Sequence, residues 1–301
     1  MDSDARSRSA RYVFISILAL LAMLVGFTGD KFLPITVDQS PVAGTSATPD
    51  PAASSKPKPQ TTKDPLASDP APPLLDAGSL SVVKGEINKQ RKAGDALIGR
   101  WFTENGTGKA DEGFVSWAAA QLPPEPDTIT RQSEQDTRKG IENSPAGDKA
   151  AAWLNEHGCE NVWTSFTAQQ LTLRSTTDDE PSSAEMKDVL ALAAKVASAA
   201  QDRSGSPAAS QPDPCGETSK PARSDCDCSY PSAQATMSAA ARTYLGEISP
   251  YRYDTYRWME SQVDLAAIYG GLELQSDIGS GTLLGQLVGR YVLVTRGHSK
   301  P

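Results

Sequence analysis

"CDCSYPSAQATMSAAARTYLGEISP", residues 226–250, opens on a pair of cysteines, turns at Pro231 and Ser232, and then settles into a helical rhythm. Met237, Ala240, Ala241, Tyr244, Leu245 and Ile248 recur at i, i+3, i+4 and i+7, which is one apolar face of an amphipathic helix. The same period governs the rest of the chain from about residue 76. "GFVSWAAAQL" (113–122) reads as a short helix stopped by Pro123 and Pro124. Ser144 and Pro145 supply an N-cap and a proline at N1, and Gly158 closes that helix after "AAWLNEH". Ser182 with Glu185 forms a capping box ahead of "MKDVLALAAKVASAAQD", whose Met186, Val189, Leu190, Ala193 and Ala197 share a face. No strand-like alternation of any length interrupts these segments. The expected class is all-α, a helical bundle over residues 76–294 with a tail at 295–301.

The last helix carries a stripe of small residues. After Asp277, read as its N-cap, "IGSGTLLGQLVGRYVLV" places Gly281, Gly285 and Gly289 four residues apart, so a neighbouring helix can approach closely. Gln286 and Arg290 interrupt the apolar run, which points to a buried helix of a bundle rather than a membrane span.

Composition narrows the function classes. The chain has 301 residues, is 38% hydrophobic and carries a formal net charge of −8, with no run of Lys and Arg. Nucleic acid needs a basic surface, so it is excluded as an expected partner. Arg6, Arg8 and Arg11 precede the apolar run 13–29, which fits a signal anchor or a cleaved signal peptide. An uncleaved anchor is favoured because "GFTGD" offers no clean A-x-A pattern for cleavage. That reading puts residues 1–12 in the cytoplasm and the body of the protein outside it, bound to the membrane through its N-terminal helix; the alternative is a secreted protein. Residues 30–75, with "SPVAGTSATPDPAASSKPKPQTTKDPLASDPAPP" (40–73), are too rich in Pro, Ala, Ser and Thr to offset their ordering entropy. They read as a disordered spacer.

Four cysteines, Cys159, Cys215, Cys226 and Cys228, suggest two disulfides in an exported protein. Cys226 and Cys228 are too close to bridge each other comfortably, so each is expected to pair with Cys215 or Cys159, with Cys215 the favoured partner. The C-x-C spacing has no histidine nearby, and neither a metal nor a cofactor is expected.

Three segments in this order resemble the type-2 phosphatidic-acid phosphatase superfamily, which includes bacterial class A acid phosphatases and vanadium haloperoxidases. Its motifs are K-x6-R-P, P-S-G-H and S-R-x5-H-x3-D. "YPSAQATMSAAARTYLGEISP" is similar to the second motif and its helix, and "AAIYGGLELQSDIGSGTLLG" (266–285) to the third. "AAQDRSGSPAASQPDPCG" (199–216) falls where the first belongs. The similarity spans about residues 186–294, roughly a third of the chain. It implies the all-α bundle of the acid phosphatases and haloperoxidases, with Pro231 to Gln234, Glu273 and Asp277 facing a common cleft.

Carried over position by position, the motifs have lost their chemistry. The first motif's lysine falls on Ala199 and its arginine on Ser206, with Pro207 kept. In the second, Ser232 is kept and the general-acid histidine is Gln234. In the third, Ser-Arg becomes Ala266 and Ala267, the nucleophilic histidine is Glu273, and Asp277 survives. The family forms a phosphohistidine, so it needs an imidazole nucleophile, an imidazole acid and cations around the phosphoryl oxygens. Here the residues named leave a vestigial phosphate pocket, and a Glu273 carboxylate about 4 Å from a phosphate would repel it by roughly 4 kcal/mol. The chain's two histidines, His157 and His298, lie outside the motifs. Glu273 with Asp277 could form a new acid/base pair, but no third convergent group is visible. The expected function is a membrane-tethered, extracytoplasmic pseudoenzyme with an interaction or structural role. The alternative is an active phosphomonoester hydrolase of the same superfamily with a non-standard site, which would have to bring both histidines together.

Overall fold

In the computed structural model, which describes residues 64–173, 183–205 and 230–301, helices run over Ser81–Asn105 (α1), Asp111–Ala119 (α2), Thr128–Lys139 (α3), Pro145–His157 (α4), Asn161–Leu173 (α5), Ser183–Ser204 (α6), Ala233–Ile248 (α7), Tyr253–Tyr269 (α8) and Gln275–Thr295 (α9). A 3-10 turn, Pro250–Arg252, joins α7 to α8. All regular structure among the described residues is helical, and none of these helices is long and apolar enough to cross a membrane.

Local chemistry sets the helix starts. Ser232 Oγ accepts the Ala235 amide at 3.2 Å, and Ser144 Oγ accepts that of Gly147 at 3.1 Å with Pro145 behind it. Asp127 caps α3 through Thr130 N at 2.8 Å. Asp277 takes a different place from the N-cap expected of it. It sits one turn inside α9, where its Oδ2 accepts the Leu274 amide at 2.8 Å. The chain enters α9 three residues earlier than the aspartate suggested because Gln275, Ser276 and Asp277 already have helical geometry. Ser182, the expected cap of α6, lies outside the described residues.

Helix α9 is buried nearly all round and packs chiefly on α7, with α1 on another side. The glycine stripe makes this contact. A Cβ at Gly281 would lie 2.5 Å from Ser232 O, one at Gly285 2.6 Å from Ala239 Cβ, and one at Gly289 2.5 Å from Thr243 Cβ. Any side chain there pushes the two central helices apart. Gly285→Val is therefore expected to cost at least about 2 kcal/mol. Gly99→Ala on α1, where an added methyl meets nothing within 4 Å, should be neutral or stabilise by up to about 1 kcal/mol. Urea midpoints of the two variants test the contrast; equal shifts would mean that the stripe is not what brings the helices together. Helix α6 flanks α7, α2 packs on α6, and α4 packs on α8. Phe114, Trp101 and Tyr291 close the end near α2, with ring centroids 5.5 Å apart for the first pair and a Phe114–Tyr291 stack at 3.9 Å.

The end of the expected spacer and the C-terminal tail are both docked. From Asp64 onward the supposed spacer lies on the bundle. Leu75 is buried, its amide donates to Gln262 Oε1, and Gln262 Nε2 donates back to Leu75 O, both at 2.9 Å. Asp69 meets His157 Nε2 at 2.8 Å and takes the Trp153 indole N–H on its carbonyl at 3.3 Å. Composition alone could not show this, since a few anchoring side chains suffice to hold a proline-rich strap. The C-terminal tail folds back likewise. His298 N donates to Leu293 O at 2.8 Å, and Arg296 and His298 both hold Glu185 at the start of α6. The expected spacer ahead of residue 64 and the apolar run 13–29 lie outside the described residues.

Candidate functional site

The turn before α7 and the turn before α9 meet inside the bundle. Ser232 N donates to Asp277 O at 3.1 Å, and the Ser232 side chain is near enough to the Glu273 carboxyl to pull its pKa down against the effect of burial. The Glu273 amide reaches Ala267 O at 3.3 Å, which draws the end of α8 into the same place. From α6, Gln201 Nε2 donates to Pro231 O at 2.9 Å, and Ser204 Oγ donates to Tyr230 O at the same distance. Helix α6 thus touches the Tyr230–Pro231 turn near its C-terminal end, where the first motif-like segment begins.

Arg131 of α3 completes the cluster. Its Nη1 lies 2.8 Å from Asp277 Oδ1 and 3.2 Å from Glu125 Oε1. Asp277 is fully buried and uses one oxygen for the Leu274 amide and the other for this guanidinium. Sequence reading found every motif cation replaced by a neutral residue. The interior nevertheless holds a cation, delivered from a segment 146 positions away in sequence. No motif could have announced it.

Burial dominates the electrostatics. Ser232, Gln234, Glu273 and Asp277 are each no more than 3% exposed. Burial pushes the Asp277 carboxyl up to about 6, against the pull of Arg131. Burial and the neighbouring Asp277 raise Glu273 well above the ordinary carboxyl range. Glu273 accordingly holds its proton more tightly than an ordinary carboxyl. Asp264 of α8 is raised in the same direction by burial and by Glu260. Neither of its oxygens, nor Glu273 Oε2 or Gln234 Nε2, has a hydrogen-bond partner among the described residues.

Deeper in the same layer Arg242 of α7 grips Glu260 of α8 in a two-point pair, Nε to Oε2 at 2.9 Å and Nη2 to Oε1 at 3.1 Å. Arg242 Nη1 and Thr243 Oγ1 both donate to Gln286 Oε1 on α9, and Gln286 Nε2 donates to Asp95 of α1 at 2.7 Å. Four helices are tied by one polar chain. Sequence analysis missed Arg242, Glu260 and Asp264. The available signal was their spacing: Gln234, Ser238 and Arg242 recur every four residues, as do Glu260 and Asp264.

The remaining expected residues are distributed as follows. Ala199 is half-buried against the apolar core of α6, with Ala267 fully buried at the end of α8. Ser206, Cys215, Cys226 and Cys228 lie outside the described residues. Cys159 is buried and is not a free thiol. The histidines hold separate posts: His157 bridges Asp69 and Asn161, while His298 binds Glu185. Neither contacts Ser232, Glu273 or Asp277 through a hydrogen bond. Among the described residues no group of three or more His, Cys, Asp or Glu side chains is placed to hold a metal. The chain matches no protein-family model, no curated protein and no solved structure.

Proposed function

We propose that residues 64–301 form a phosphatase-like domain without phosphohistidine chemistry, a pseudoenzyme relative of the type-2 phosphatidic-acid phosphatases and class A acid phosphatases. We also place it outside the cytoplasm, held at the membrane by residues 13–29. One observation supports the loss of chemistry best. The turns before α7 and α9 meet, and the side chains brought there are Ser232, Glu273 and an Asp277 already paired with Arg131. A phosphoryl group needs an attacking imidazole and free cations at that place. Glu273 is a buried neutral acid, Gln234 has no proton to give, and the only described guanidinium in the cluster is occupied. Cys159, not a free thiol, agrees with an oxidising compartment. The domain's role then lies in its packing and its surface.

The test is hydrolysis of p-nitrophenyl phosphate by the full chain across pH 4–8, with acid-labile phosphoprotein trapping alongside. No turnover above a Glu273→Ala control is expected. Restoring Glu273→His alone should achieve little, since members of a catalytic unit fail together. Robust turnover that disappears in His157→Ala would establish the active-hydrolase alternative.

A further inference from the structure

Lys84, Arg91 and Lys92 fall with Asn88 on one face of α1. Arg257 of α8 donates from Nη2 to Asn88 Oδ1 at 3.1 Å, which joins the cations of the two helices into one surface. Arg91 and Arg257 share the Tyr253 ring, 5.9 and 5.6 Å from its centroid. Just before them Arg252 lies 5.1 Å over Phe166 and 5.7 Å over Tyr256. The rings hold these guanidinium groups in place without neutralising them. Of the five cations, only Arg257 has an ion-pair partner among the described residues, Asp254 at 4.0 Å, and that carboxylate is 97% exposed. Asp95, farther along α1, is taken by Gln286 and Arg290. In a chain of net charge −8 this is a local reversal of sign.

Beside the cations stand two exposed aromatic side chains, Tyr251 at 60% and Trp258 at 39%. Tyr251 sits on the 3-10 turn beside Arg252, and Trp258 follows Arg257 in the first half of α8. Phenol and indole rings settle at the headgroup level of a bilayer, and neighbouring Lys and Arg take its phosphates. A soluble polyanion would satisfy the charges but leave both rings in water.

We propose that this α1–α8 surface docks the domain onto an anionic phospholipid bilayer, the cations pairing with headgroup phosphates and Tyr251 and Trp258 entering the interface. The docking depends on the surface alone and stands whether or not residues 13–29 anchor the chain.

The experiment uses the full chain with phosphatidylcholine vesicles, with and without phosphatidylglycerol, carrying a quencher lipid at headgroup depth. Tryptophan quenching is expected to rise several-fold with phosphatidylglycerol, to fall at high salt and to be largely lost in Trp258→Phe. Lys84→Gln and Lys92→Gln, both exposed and outside the ring contacts, should each weaken the response roughly fivefold without altering the fold. Equal quenching on neutral and anionic vesicles, or a response unchanged in Trp258→Phe, would overturn the proposal. So would a response to soluble polyphosphate with none to vesicles, which would assign the surface to a soluble polyanion. A chain that ignores neutral vesicles but binds anionic ones would sink the anchor reading and leave the docking standing.

Discussion

Replacing Glu260 by alanine should cost about 3–5 kcal/mol, because it strands the Arg242 guanidinium in the centre of the bundle. Both side chains are no more than 2% exposed, and the pair is two-pointed. A domain of this size has about twice that stability in total, so Glu260→Ala is expected to be poorly folded at 37 °C. The pair itself is a different matter. Removing both charges together as Arg242→Met with Glu260→Leu should regain most of the loss, since the desolvation of two ions goes with them. Urea unfolding of the two single variants and the double decides it. A double variant no better than Glu260→Ala would show that the Gln286 and Asp95 connections, not the pair, carry the energy.

Raising the pH from 5 to 8 should destabilise the fold. Asp264, Glu273 and Asp277 all hold their protons more tightly inside the bundle than in the unfolded chain, where carboxyls titrate near 4. A carboxyl raised in this way contributes stability that is fully present below its unfolded pKa and is lost as pH climbs through the folded one. For Asp277 that loss runs from near 4 through about 6, and for the other two it extends higher. Each proton released on unfolding steepens the decline by roughly 1.4 kcal/mol per pH unit. Asp127 and Glu185 are shifted downward, but their effect falls below the ordinary carboxyl range and so outside this window. Asp264→Asn preserves the shape without the charge, so it should flatten the slope and raise stability at pH 8. Melting temperatures at several pH values provide the measurement. A midpoint that is flat or rises from pH 5 to 8, or a less stable Asp264→Asn at pH 8, would contradict the assignment of these groups as buried neutral acids.

The helical class, the cap at Ser144 and the close approach along Gly281, Gly285 and Gly289 were legible because each rests on short-range chemistry. A serine before a helix start or a glycine every fourth residue carries its meaning in its neighbours. Helix α8 was not singled out, for a physical reason. Its inward face bears Glu260, Gln262 and Asp264, which any hydropathy rhythm scores as solvent-facing. The polar layer of the bundle was hidden with it. Arg131 was invisible for a second reason: a tertiary partner chosen across 146 residues leaves no local trace. The strap from Asp64 failed in the opposite sense. Its composition argued against order, yet Leu75, Asp69 and Leu66 supply the few contacts that fix it. At the candidate site, motif order singled out Ser232, Glu273 and Asp277. Their depth and protonation depend on what covers them, which sequence does not record.

The docked strap also determines how the domain bears load. A pull on the chain ahead of residue 64 does not reach α1 directly. It meets Asp69 first, riveted by a single bond to His157 and by the Trp153 indole. Next comes Leu75, clasped on both its amide and its carbonyl by the one side chain of Gln262, so that two bonds must rupture together. Only then does tension arrive at Leu80 and the start of α1. The strap is a graded mechanical fuse, and the histidine that might have been sought in an active site is its first link.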